Sequence, residues 1–318
     1  MFKKLVLATT ALALCVVVLG AYVRLSDAGL GCPDWPGCYG HIGVPHSSVA
    51  ATAFPDKPLE THKAWKEMAH RYLAGTLGLL VLAIFISAWR NRRDISPALP
   101  TALLLLVIFQ AALGMWTVTM LLKPVIVSLH LIGGLATLSL LTWLTSRRLP
   151  TTSHPALRPW ALWALVVLAC QIVLGGWTST NYAALACPDF PACQGMLLPP
   201  TDFANAFHLV RELGVNADGS QLSLASLTAI HLMHRLGALI TFMYLGWFGS
   251  KLLKIPSLSF WGKLLLATLL VQVALGISNV VFSLPLAVAV GHNAGAAILL
   301  MTLVVINSKL TRQHGFTR

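Results

Sequence analysis

The chain has 318 residues, 57% of them hydrophobic and only 10% charged, and its mean hydropathy is +0.76. A water-soluble domain carries roughly a quarter of its residues as charges, so this composition excludes a surface solvated by water and makes lipid the solvent. The formal charge of +12 does not indicate a nucleic-acid partner, because the basic residues punctuate long apolar runs instead of forming a stripe.

One bilayer crossing takes about 20 apolar residues. Such runs fall near 5–23, 69–89, 99–121, 124–145, 160–179, 228–249, 261–282 and 285–306, which predicts an all-α integral membrane protein with eight transmembrane helices. Lys3 and Lys4 ahead of the first run also fit a cleaved signal peptide. Retention of that run as a span is favoured because the fifth run, its counterpart in an internal repeat, cannot be a signal. Of the 22 Lys+Arg, 14 lie on one side: Lys3, Lys4, Arg90, Arg92, Arg93, Arg147, Arg148, Arg158, Lys251, Lys254, Lys263, Lys309, Arg312 and Arg318. The others are spread over much longer loops, so the positive-inside rule places both termini in the cytoplasm.

The chain reads as a tandem duplication. Cys15, Cys32 and Cys38 have the spacing of Cys170, Cys187 and Cys193, and two loops read Cys32-Pro-Asp-Trp-Pro-Gly-Cys38 and Cys187-Pro-Asp-Phe-Pro-Ala-Cys193. Gln110-Ala-Ala-Leu-Gly114 is echoed by Gln272-Val-Ala-Leu-Gly276, His70-Arg71 by His234-Arg235, and His130 by His292. Each unit holds an even number of spans, so both copies share one orientation. The expected architecture is two tandem four-helix bundles, 1–150 and 151–318, related by a pseudo-two-fold axis along the membrane normal. Both cysteine loops fall outside, in an oxidising compartment, where Cys32–Cys38 and Cys187–Cys193 fit disulfides. A structural staple and redox exchange with a partner are both open for them. Cys15 and Cys170, in apolar surroundings, read as inert core residues.

Of the 11 histidines, His41, His46, His62, His208, His154 and His314 read as solvated loop residues. His70, His130, His234 and His292 instead fall in the first turn or two of the even-numbered spans, where ionisable groups are costly and usually functional. Each half offers one imidazole from its second and one from its fourth helix. Two such ligands are too few for zinc but suffice for a heme, whose porphyrin supplies the equatorial nitrogens. Gly133, Gly134, Gly291 and Gly295, beside these histidines, leave room for a flat macrocycle or a close helix. Arg71 and Arg235 suit heme propionates, or ordinary snorkelling to the interface. The copies differ three residues earlier, where the first has Glu67 and the second His231. Residues at i and i+3 share a helix face, so Glu67 points toward whatever His70 holds. A carboxylate in one copy only suggests one catalytic and one electron-transfer site; a helix-end charge is the plainer reading. His231 reads as a hydrogen bonder or a spare ligand.

Taken together, the doubled four-helix unit, Glu67-x-x-His70-Arg71, His130, His234, His292 and the outer cysteine pair resemble the heme A synthase family over nearly the whole chain. The resemblance implies oxidation of the C8 methyl of heme O to the formyl of heme A for cytochrome c oxidase, in a bacterial inner membrane. It implies His70 and His130 flanking the substrate heme, Glu67 assisting, and His234 and His292 holding a heme b cofactor. It also matches Cys32–Cys38 to an outer disulfide. Heme O synthase and oxidase assembly factors are the partners it suggests, and a homo-oligomer stays open. A diheme b-type electron carrier would use the same four histidines without needing Glu67; a duplicated transporter would need neither.

Overall fold

The computed structural model describes residues 2–147, 149, 151–152, 154–216 and 218–310. Arg148, Arg312, His314 and Arg318 lie outside the described residues. Among the described residues there are helices, turns and isolated bridges but no strands. Eight helices are long and apolar enough to cross a membrane: α1 Phe2–Leu25, α2 Thr61–Arg90, α3 Ala98–Thr119, α4 Pro124–Ser146, α5 Arg158–Thr180, α6 Leu224–Leu253, α7 Pro256–Val281 and α8 Leu286–Leu310. Short helices at Ser47–Ala53 and Phe203–Ala206 lie in the long connections.

Two of these helices exceed the apolar runs that mark them. The hydropathy run near 69–89 belongs to a helix that begins at Thr61, and the run near 228–249 to one that begins at Leu224. The extra turns are covered by protein. In α2, Ala64 and Met68 pack with Cys32, Cys38, Tyr39 and Ala50 in a small core of their own. Hence His70 is the tenth residue of α2, in its third turn, and not in the first turn or two.

The chain divides into two compact units, Met1–Thr137 with Phe207–Ser223, and Leu138–Ala206 with Leu224–Arg318. In the first, α1 packs on α2 and α2 on α3, and Lys123 at the α3–α4 turn pairs with Glu212 at 2.8 Å. In the second, α5 packs on α6, α6 on α7, α7 on α8 and α8 back on α5. Asn307 ties that ring together, its amide donating to the Ala161 carbonyl at 2.9 Å.

The turns repeat as well. After α3, Leu121 and Leu122 adopt positive φ, and the Leu122 amide reaches back to the Thr117 carbonyl at 2.8 Å; after α7, Ser283 and Leu284 do the same, with Leu284 on Asn279 at 2.7 Å. Both are left-handed helix caps that satisfy the last carbonyls. Cys15 and Cys170 correct the core expectation: both are exposed. They precede the inward-facing Val16 and Gln171 by one residue, a rotation of about 100° on a helix, which turns them to the outer face.

Candidate functional site

The two cysteine loops are built alike. Cys32 and Cys38 are joined, as are Cys187 and Cys193. Inside each ring an aspartate folds the backbone onto itself. Asp34 accepts from the Tyr39 and Gly40 amides at 2.6 and 2.7 Å, and Asp189 from those of Gln194 and Gly195 at 2.6 and 2.8 Å. Tyr39 and Gln194, followed by Gly40 and Gly195, take left-handed φ, as a tight primed turn requires. The amides of Gly195 and Gln194 hold the Asp189 carboxyl below the ordinary carboxylate range.

Each loop is latched to the long helix that follows it. Cys32 N–H donates to Glu67 at 2.8 Å, Glu67 also pairs with Arg71, and Arg71 donates to the carbonyls of Asp34 (2.9 Å), Pro36 (3.3 Å) and Gly37. In the second copy, Cys187 N–H lies 3.3 Å from His231 Nδ1 and Arg235 Nε 3.3 Å from His231 Nε2, and a neutral imidazole accepts from one of the two. Arg235 also donates to the carbonyls of Ala192, Cys187 and Asp189 at 2.8, 3.0 and 2.8 Å. His231 therefore stands where Glu67 stands and performs the same tethering. Both its nitrogens face this latch, so it is a hydrogen bonder. The guanidinium groups of Arg71 and Arg235, the suggested propionate contacts, reach the loop carbonyls.

One helical level below the latch lie the four histidines. Each rests against a glycine of the preceding span. A Cβ on Gly20, Gly114, Gly175 or Gly276 would approach the ring Cε1 of His70, His130, His234 or His292 to 2.9, 3.4, 3.0 and 3.0 Å. The rings of His234 and His292 meet with centroids 6.5 Å apart and planes at 84°. His70 and His130 lie within electrostatic reach of each other. His234 Nδ1 sits 3.0 Å from the Gln171 side-chain amide, and His292 Nδ1–H donates to the Gln272 carbonyl at 3.1 Å. The same Gln171 amide nitrogen donates to the His234 carbonyl at 3.1 Å, and the Gln272 amide nitrogen lies 3.3 Å from His292 Nε2. By contrast, Nδ1 of His70 and of His130 is buried with no partner. Among the described residues no three His, Cys, Asp or Glu side chains converge as a bare-ion site.

Gln171 escapes a reading of the sequence that pairs only the two halves, although Gln171-x-x-x-Gly175 repeats the pattern of Gln110 and Gln272. Gly133 and Gly295 hold glutamine side chains: a Cβ on Gly133 would come within 2.8 Å of Gln110 Oε1, and one on Gly295 would collide with Gln272 Oε1. The space these glycines leave is thus taken by a neighbouring helix.

The sequence from residue 3 to 304 matches the profile of a family described as cytochrome oxidase assembly protein. The chain belongs to that family. It is 48% identical to the heme A synthase of Shewanella oneidensis over 97% of this chain and 96% of that one. Heme A synthases of a Chelativorans species (29% identity, 90% and 84% coverage) and of Halalkalibacterium halodurans (28%, 93% and 93%) are also similar along nearly their full lengths. The matched stretch runs through both cysteine loops and all four histidines.

Proposed function

We propose that this chain is a heme A synthase, an integral membrane oxidoreductase that converts heme O to heme A. The observation that carries the reading is its near full-length similarity, at 48% identity, to a protein of that name. Its sites and its cofactor are inferred from the geometry of the histidines and the latches.

His234 and His292 are the proposed axial ligands of a resident heme b. Two imidazoles bound through one nitrogen each, about 2 Å from a shared metal, place their ring centroids roughly 6 Å apart, and the observed 6.5 Å supports this. Donation of His292 Nδ1–H to the Gln272 carbonyl is the outer-shell support a ligating histidine uses. Heme b, when bound, would relay the four electrons of the oxidation one at a time to an acceptor outside the chain. His70 and His130 are the proposed ligands flanking the substrate heme O. The two bundles, 1–150 for substrate and 151–318 for heme b, are read as related by a pseudo-two-fold axis along the membrane normal. Both termini are placed in the cytoplasm and the protein in a bacterial inner membrane, with heme O synthase and oxidase assembly factors as proposed partners.

Turning a methyl into a formyl takes two successive two-electron oxidations, each releasing protons. Glu67 is the proposed proton acceptor, being the carboxylate nearest in sequence and helix face to His70. Arg71 neutralises it in the resting state, and both sit against the loop closed by Cys32–Cys38. Arg71 and Arg235 are the residues proposed for the heme propionates.

A second reading has a specific observation behind it. Because His231 makes the same contacts as Glu67, the carboxylate can be explained as a tether alone, as in a diheme electron carrier. Heme extraction and chromatography from membranes of cells supplied with heme O separates the two: heme A must accumulate with the chain and be absent without it. Only heme b in both cases would defeat the synthase reading.

A further inference from the structure

Every carboxylate and imidazole in the eight spans stands at the end that carries the cysteine loops. Of Asp, Glu and His, the spans hold only His62, Glu67, His231 and the four site histidines, and none lies inward of those four. Twenty residues separate His70 from Arg90 at the inner end of α2, about 30 Å of helix. Proteins that carry protons across a bilayer do so on chains of Asp, Glu or His, and this stretch has none. The threonine hydroxyls inward of the first pair do not take their place. Thr9, Thr10, Thr76, Thr137, Thr142 and Thr145 each donate to the carbonyl four residues back in their own helix, at 2.7–2.9 Å.

Outward the arrangement reverses. Glu67 touches the cysteine loop through Cys32 N–H at 2.8 Å and pairs with Arg71. One turn toward the helix start, on the same face, Lys63 pairs with Glu60 at 3.0 Å and with Asp27 at 3.7 Å. The carboxylates of Glu60 and Asp27 are 54% and 72% exposed. Titratable groups thus follow one another from Glu67 to solvent within two turns, about 10 Å.

We propose that the oxidation is vectorial: the protons it frees leave through Glu67 on the cysteine-loop side, and none reaches the side where α1 begins and α8 ends. This rests on the proposed synthase reaction and deepens it. With water as the oxygen source the balance is R–CH3 + H2O → R–CHO + 4 H+ + 4 e−. Two methyl C–H bonds and both O–H bonds of water break, and the C=O bond forms. Four protons therefore appear on one face for each heme A, while the electrons pass to an acceptor outside the chain. The reaction acidifies the cysteine-loop side as it makes heme A.

The full-length protein, tagged at its C-terminus, is reconstituted sparsely into liposomes that carry heme O in the bilayer. Capture on the tag selects vesicles whose lumen faces the cysteine loops. One pH dye is trapped in the lumen and a polymer-bound one is kept outside, with valinomycin and potassium cancelling any membrane potential. Ferrocenium, a membrane-soluble one-electron acceptor that binds no proton, starts the reaction under argon. The expected result is four protons in the lumen for each heme A recovered by chromatography, with the medium unchanged until an uncoupler is added. Acidification of the medium before the uncoupler, or heme A formed without net proton release, overturns the proposal and leaves the synthase reading intact. Heme A that forms in air and not under argon overturns the balance, and the proposal with it. No heme A in either atmosphere overturns the synthase reading, and this inference falls with it.

Discussion

Glu67 and His231 show how one residue position can do the same structural work with different charge. Each stands against the first cysteine's N–H of its loop and the arginine one turn on. The second copy has no carboxylate there, and Arg235 still holds its loop through the carbonyls of Ala192, Cys187 and Asp189. Glu67→Gln keeps the side-chain volume and one acceptor oxygen, enough for Cys32 N–H or for Arg71 but not for both, and removes charge and proton affinity. The variant is therefore expected to fold, retain heme b, and accumulate heme O or a partly oxidised heme in extracted membranes, with heme A down at least tenfold. Wild-type heme A from this variant would make Glu67 a tether and nothing more. A second residue-scale prediction concerns Asp189, whose carboxyl is depressed first by the Gly195 amide. A depressed folded value means that the stabilisation is complete above the ordinary carboxylate range and is lost as pH falls through the folded value. Reduction of Cys187–Cys193 by a water-soluble phosphine should thus accelerate only at pH below that range. In Asp189→Asn it should already be several-fold faster at neutral pH, as read by thiol labelling.

At the scale of helices, the sequence was informative about what touches lipid and less so about what touches protein. All eight spans were legible because hydropathy reports the lipid-facing stretch. The outer turns of α2 and α6 were not, because Lys63, Lys66 and Glu67 read as polar loop while the cysteine loop covers that end of the helix. The histidines were legible as costly residues at matched positions in a repeat. Their glycine seats were not: Gly20 lies in no repeated motif, Gly175 shows only when its glutamine motif is compared within a half, and the ring pressed on each explains why no side chain stands there. Cys15 and Cys170 were misplaced in the core because apolar neighbours look the same whether they face lipid or protein. Packing between helices makes a test. Gly175→Ala puts a methyl 3.0 Å from His234 Cε1 on a rigid ring, an overpacking of about 1–3 kcal/mol. Gly246→Ala in α6 meets nothing within 4 Å. The first should lower heme b content or shift its absorption bands, and the second should leave the spectrum unchanged. Identical spectra would mean that the ring does not bear on Gly175 in the loaded protein.

For the molecule as a whole, the proposed function gives the two copies of one scaffold different chemical tasks. The loop, its latch and the glycine-backed histidine pair occur in both halves, and the differences are confined to a few side chains: Glu67 against His231, Val16 against Gln171, Leu73 against Gly237. These place the carboxylate in the first half and an imidazole at its position in the second. The division predicts which heme each histidine loses. His234→Ala or His292→Ala removes one of the two proposed heme b ligands, so the b-type spectrum of the purified protein should fall by half or more. Imidazole added to the detergent buffer should restore part of it by occupying the space the side chain left. His70→Ala or His130→Ala should keep that b-type spectrum, because neither touches the second unit's ligands, and should instead abolish heme A production. Pyridine hemochrome quantification on all four variants reads both halves at once. Loss of heme b from the first-half variants and its retention in the second-half ones would exchange the two sites, making the anchored pair the substrate site and leaving Glu67 beside the electron acceptor.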